Sequence, residues 1–285
     1  MTLAPGVFVI IWSTGVIGAK YGLPYAEPLT FLAIRFGLAA VLMLPVVLLF
    51  RVRWPASWRE TGHIIVAGLL LQGLYLGSIF SAIHQGVEAG VAAIIIGIQP
   101  ILVAILAGPL LDERVGRRQW LGLALGLVGV LLVVWRKLTL GLGTPVGMAL
   151  AFLALFAITG ATLYQKRFCA DMPLRSGNVI QFLATGAVLF LLALVFETRE
   201  VTWSNDFIAA MAWLVLVLTI GAFTLFYFLI RHGAASRVAS LFFLIPPTSA
   251  LFAWLMFGEY FGPIALAGMA IAVLGVALVN LRGNA

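Results

Sequence analysis

Ten long apolar runs joined by short polar connections constrain this chain more than any motif does. They lie at about 6–21, 29–50, 62–83, 89–110, 117–135, 145–166, 178–196, 207–230, 236–257 and 262–281. Crossing a hydrocarbon core takes roughly 20 helical residues, so ten spans use about 200 residues and leave no stretch for a soluble domain. A helix satisfies every backbone polar group within its own segment, which the bilayer interior demands. The interruptions agree: Pro24 and Pro28 follow the first run, Arg51, Arg53 and Arg59 the second, and Asp112 to Arg118 separates the fourth from the fifth. Only 9% of the residues are charged, against roughly 25% in a soluble domain, which is too little polar surface to face water on all sides. The first run, Pro5 to Ala19, has no basic segment before it and no small-residue cleavage site, and is expected to be a retained helix rather than a signal peptide. The sequence therefore predicts an all-α membrane protein with ten transmembrane helices.

The formal charge is +7, but the basic residues sit in short loops and on no single face, so they set topology and do not mark a nucleic-acid surface. With a cytoplasmic N-terminus, that side collects Arg51, Arg53, Arg59, Arg114, Arg117, Arg118, Lys166, Arg167, Arg175, Arg231, Arg237 and Arg282, and the other side only Lys20, Arg35, Arg136, Lys137 and Arg199. Both termini are expected in the cytoplasm, and the protein in the cytoplasmic (inner) membrane. The single cysteine, Cys169, has no CxxC or Cys/His companion and reads as a small residue without a role.

The chain repeats itself. The segment from Gly86, GVEAGVAAIIIGIQP, lies over GAASRVASLFFLIPP from Gly233, and GVLLV at 129–133 lies over GVALV at 275–279, which also sets Glu113 opposite Glu259. Two halves of five helices follow, expected at 1–138 and 139–285. Five is odd, so the second half enters the membrane from the opposite side, giving inverted-topology repeats. The loop charges fit, since Arg114, Arg117 and Arg118 have no basic counterpart in the YFGP that follows Glu259.

With these residues in view, WSTGVIGAKYGLPYAEPLTFLAIRFGLAAVLML from Trp12 and GVAAIIIGIQPILVAILAGPLLDERVGRRQWLGLALGLVGVLLV from Gly90 resemble the drug/metabolite transporter superfamily, in particular its EamA-type ten-helix exporters. The amino-acid exporters of that group, including those for aromatic amino acids, are the nearest in kind. The resemblance implies a basket-like bundle of two inverted five-helix repeats around a central cavity, working by alternating access, and it leaves the substrate-touching residues open.

Candidate site residues come from the chain itself. Helix 1 concentrates Trp12, Ser13, Thr14, Gly15 and Gly18, either a cavity wall or a close-packing face. On helix 3, Gln72, Tyr75 and Ile79 are spaced by three and four and are expected on one cavity-facing side. Gln99 precedes Pro100, and its repeat-mate region holds Pro246 and Pro247, so paired hinges or simple curvature follow. Thr159, Thr162 and Tyr164 on helix 6, and Phe223, Phe226 and Tyr227 on helix 8, supply further hydroxyl and aromatic groups. Arg35, well inside an apolar run, snorkels to the interface, pairs with Glu27 or Glu88, or binds a substrate carboxylate. GxxxG spacings at Gly18/Gly22, Gly73/Gly77 and Gly122/Gly126 require close backbone approach and nothing more.

All ten carboxylates (Glu27, Glu60, Glu88, Asp112, Glu113, Asp171, Glu197, Glu200, Asp206 and Glu259) fall at or beyond helix ends, so no deep acid offers a proton relay. HExxH, GxSxG and P-loop patterns are absent, and an intramembrane enzyme is not expected. The reading is an exporter of small amphiphilic metabolites, with amino acids preferred and multidrug or other metabolite efflux as the alternative. It needs a lipid bilayer and a small-molecule substrate, and no cofactor, metal, nucleic acid or obligate protein partner.

Overall fold

The computed structural model describes residues 3–135, 143–257 and 262–280. Ten helical rods follow one another: α1 (Ala4–Gly22), α2 (Pro28–Leu49), α3 (Trp58–His84), α4 (Ala89–Leu111), α5 (Arg117–Val134), α6 (Pro145–Phe168), α7 (Leu174–Phe196), α8 (Asn205–His232), α9 (Ala235–Ser240 continued by Leu241–Leu244 and Ile245–Phe257) and α10 (Pro263–Asn280). Each agrees with an expected span to within about four residues, the usual slack at helix ends. Among the described residues nine of them, α2 to α10, are long and apolar enough to cross a membrane, and α1 contributes the apolar segment Ala4–Gly15. Among the described residues the β-pairing amounts to an isolated bridge between Ala26 and Val201. Large apolar side chains such as Leu48, Phe156, Phe190, Val195 and Leu216 lie exposed along the rods, where lipid is their solvent.

The halves meet with two-fold pseudo-symmetry. The pairing of α1 with α8 and α9 is answered by that of α6 with α3 and α4, and α2–α7 and α5–α10 complete the set. Laying Ile34-Arg35-Phe36 on Ile180-Gln181-Phe182 makes Phe36 and Phe182 equivalent, and their rings stack on each other at 6.0 Å with an interplanar angle of 25°. Between α5 and α10 the approach is so close that a Cβ on Gly122 would fall 2.6 Å from the Gly275 carbonyl oxygen, and one on Gly129 2.7 Å from that of Gly268. Those two contacts exchange under the repeat. The Gly122 spacing is thus a backbone contact inside one chain, as small-residue interfaces in membranes require.

Both repeats depart from the α-helix at matching places. Leu69–Tyr75 in α3 and Leu214–Ala222 in α8 widen into π-helical turns. Ahead of the prolines both fourth helices tighten: Ile98 donates to the Ile95 carbonyl at 3.1 Å before Pro100, and Leu241–Leu244 is 3-10 helix before Pro246 and Pro247. A proline donates no backbone hydrogen bond and crowds the preceding turn, which accounts for the second pair.

Candidate functional site

A cavity of 540 Å³ lies between the halves. Trp12 and Gly15 of α1, Arg35 of α2, Tyr75 and Ile79 of α3, Ala92 and Ile96 of α4, Leu218 and Phe223 of α8, and Phe242 and Pro246 of α9 line it. Pro24, His84 and Ala89 rim its mouth, and all three are exposed. The mouth therefore opens on the face where α1 and α3 end. The Trp12 ring packs against Phe223 at 5.2 Å and Phe242 at 5.4 Å, both edge-on, so one wall is aromatic.

On the opposite face the chain is sealed. Glu113, just past α4, accepts from the Ala235 amide at 2.7 Å and from the Ser236 amide and hydroxyl at 3.3 and 3.2 Å, capping the start of α9. Lys166 donates to the carbonyls of Ile230 and Gly233, both at 2.8 Å, at the end of α8. Arg167 donates to the Leu110 carbonyl at the end of α4. An acid at a helix N-terminus and bases at helix C-terminal carbonyls both match the helix dipole. Glu259, the repeat-mate of Glu113, lies outside the described residues.

The residues singled out from the sequence divide into two groups. Trp12, Tyr75, Ile79, Phe223 and Pro246 line the cavity. Gln72, Gln99, Thr159, Thr162 and Tyr227 are buried outside that lining. Gln72 Nε2 donates to Gln181 Oε1 at 3.1 Å and to the Tyr227 hydroxyl at 3.0 Å. Gln99 Nε2 donates to the Thr162 hydroxyl at 3.3 Å, and Thr162 and Thr159 back-bond to the carbonyls of Ile158 and Leu155. Ser13 turns to the Val9 carbonyl at 2.7 Å. Pro100 and Pro247 are buried in their helices. The side-chain oxygens of Gln72 and Gln99 are buried and have no hydrogen-bond partner among the described residues, an arrangement that costs free energy in any closed core.

The sequence of the EamA-like transporter family matches residues 6–135 and 145–281, one copy per half. The chain belongs to that family. The relatives are named as transporters. The uncharacterized inner membrane transporter YedA of Escherichia coli K12 is 26% identical over 95% of this chain and 88% of its own length. A Salmonella typhimurium protein named as a probable amino-acid metabolite efflux pump is 24% identical over 96% and 92%. The S-adenosylmethionine/S-adenosylhomocysteine transporter of Chlamydia trachomatis is 27% identical over 94% and 85%. A protein of known crystal structure shares the fold with a TM-score of 0.83, covering 98% of this chain and 96% of its own, at 21% identity. This is a membrane transporter.

Two expectations about this transporter's site change on inspection. Gln72 and Tyr75 do not share a face: the π-helical turn between them holds more residues than an α-turn, so Gln72 points to α7 and α8 while Tyr75 joins Ile79 at the cavity. Arg35 neither snorkels nor pairs with Glu27. It is 2% exposed, and its Nε donates to the Thr219 hydroxyl at 2.7 Å. Glu27 instead accepts from the Thr198 amide and hydroxyl at 2.6 and 2.7 Å. Thr219 sits in the π-helical turn of α8, where its hydroxyl also donates to the Leu214 carbonyl at 2.9 Å, five residues back. Sequence reasoning missed Thr219, Gln165 and Gln181. The last was legible in the match of IRF to IQF, a signal too short to notice before the halves are superposed.

Proposed function

We propose that the protein exports small amphiphilic metabolites, amino acids with bulky or aromatic side chains foremost, across the cytoplasmic (inner) membrane by alternating access. The observation that carries this reading is the cavity, closed at one face by Glu113 and Lys166 and open at the other, with an aromatic wall facing a cation and a phenol. Its 540 Å³ falls in the range of about 300–1,000 Å³ typical of small-molecule sites. The name of the Salmonella relative favours amino-acid metabolites over drugs. The basic residues on the sealed face, Arg114, Arg117, Arg118, Lys166, Arg167 and Arg231 among them, make that face cytoplasmic with both termini. The cavity then stands open to the outside.

In this reading the two groups of site residues serve two states. Trp12, Tyr75, Ile79 and Phe223 contact the solute now, while Gln72, Gln99, Thr159, Thr162 and Tyr227 line the symmetry-related cavity when the repeats exchange conformations, with the Ser13 carbonyl holding α1 to α9 by accepting from the Ser249 hydroxyl at 3.0 Å. The unsatisfied oxygens of Gln72 and Gln99 gain water and solute as partners in that second state. Pro100, Pro246 and Pro247 act as the hinges, and the repeats divide at 138/139, outside the described residues.

Purified protein in liposomes, loaded with a panel of labelled amino acids, tests the reading. Saturable flux of bulky amino acids, weakened about tenfold by Tyr75→Ala through lost contact area, is the expected result. Flux of drugs or other metabolites with no amino acid moving would transfer the reading to the alternative class.

A further inference from the structure

Arg35 is the only lysine or arginine among the described residues that lines the cavity, and it forms no ion pair with any described residue. It lies two turns into α2, about 10 Å along the helix from its start. The Nε is held by Thr219, and the guanidinium carbon sits 5.6 Å from the Phe36 ring centroid. Neither terminal nitrogen has a hydrogen-bond partner among the described residues. Among the described residues no carboxylate lines the cavity. The acids beside the start of α2 are engaged elsewhere, Glu27 by Thr198, and Glu197 by the Leu29 and Thr30 amides at 2.7 Å each.

The pseudo-symmetry says that the fold does not require a cation here. Its counterpart Gln181 is a neutral amide held by its neighbours, taking a hydrogen bond from Gln72 at 3.1 Å and giving one to Gln165 at 3.4 Å. Gln72 in turn stands where Thr219 stands, each in the π-helical turn of its repeat. One position thus carries a satisfied amide on the sealed side and, on the open side, a charge with two terminal nitrogens that no described residue engages. A guanidinium held at Nε presents its terminal nitrogens as a fork, the geometry that recognises a carboxylate. The rest of the lining offers an aromatic wall and the Tyr75 hydroxyl, and among the described residues no anion for an ammonium.

We propose that Arg35 anchors a carboxylate of the cargo and that binding depends on this carboxylate and not on an amine, so that aryl-alkyl acids lacking the amino group bind alongside the amino acids. The proposal rests on the transport reading above, and the test separates the two. Calorimetric titration of the purified full chain compares L-phenylalanine, 3-phenylpropionate, L-phenylalanine amide and phenethylamine. The two acids are expected to bind within about threefold of each other, and the amide and amine roughly tenfold or more weaker, as loss of a charged hydrogen-bond partner implies. Arg35→Gln should weaken both acids about 10- to 100-fold and leave the amine unchanged. If Arg35→Gln does not fold, Thr219→Val retains the charge, frees Nε, and should weaken the acids by roughly three- to tenfold. Equal binding of amine and acid, failure of the wild type to bind either acid, or a folded Arg35→Gln with unchanged acid affinity overturns the proposal. Binding of acids without movement in sealed liposomes would instead overturn the transport reading and leave the anchor standing.

Discussion

Single residues decide how close the rods approach and which loops are tied down. Gly129 faces the backbone of α10, where a Cβ would fall 2.5 Å from the Ala272 nitrogen, whereas Gly160 on α6 has open space around it. Gly129→Ala should therefore destabilise by about 1–3 kcal/mol, the usual range for forced overpacking. Gly160→Ala should be neutral or stabilise by up to roughly 1 kcal/mol through helix propensity. Thermal unfolding in detergent compares the two. Glu27, in the loop before α2, shows how a carboxylate there senses pH. Its bonds to the Thr198 hydroxyl and amide and the Arg199 amide hold it below its ordinary 4.5. A lowered folded-state value stabilises at pH above 4.5 and loses that stabilisation as pH falls through the lower folded value. Hydrogen exchange at the Thr198 and Arg199 amides should accelerate on that acid side, and Glu27→Gln should remove the pH dependence. Cys169, at the end of α6, is buried with its thiol pushed up to about 12 by desolvation. It should resist maleimide at neutral pH, since the thiolate is the reactive form.

Whole elements carry the irregularities that two states need. The tightened turns before Pro100 and before Pro246 and Pro247 occupy matching places in α4 and α9. If they bend during transport, Pro100→Ala and Pro247→Ala should each lower maximal flux several-fold while leaving the half-saturating concentration within about twofold, because a hinge governs turnover more than binding. Unchanged flux in both variants would assign these prolines to curvature alone. The π-helical turns have a different task. They rotate Tyr75 away from Gln72 and deliver Thr219 to Arg35, so each third helix shows one face to the cavity and another to the polar cluster.

For the whole molecule, the seal and the mouth lie on opposite faces, and an equilibrium between two such arrangements responds to what stabilises either one. Glu113→Gln and Lys166→Gln remove charge-assisted bonds from the sealed face only. With Cys169 inert, a cysteine at Ile96 should label in the otherwise unaltered protein and one at Gln99 should not; combining Gln99→Cys with either seal variant should raise its labelling. Protection of that cysteine in both variants would mean that Glu113 and Lys166 cap helices without gating.

Hydrophobic run length, loop charge and the echo of one half in the other were all in the sequence. They were enough for ten helices, two repeats and the family, because a bilayer leaves the chain so few ways to satisfy its backbone. The assignment of Trp12, Tyr75, Ile79 and Phe223 to one cavity also agreed with their residue types and spacing. Helix rotation was not there to read, since spacing alone assumes a uniform turn and the π-helical segments break it in both halves. Only the packed structure separated Gln72 from Tyr75, moved Gln99 and Thr162 into a buried pair, and left Arg35 facing an open cavity with Thr219 as its sole hydrogen-bonding partner among the described residues. The physical reason is that such partners come from the opposite repeat, more than sixty residues away in the case of Gln99 and Thr162 and nearly three times that for Arg35 and Thr219.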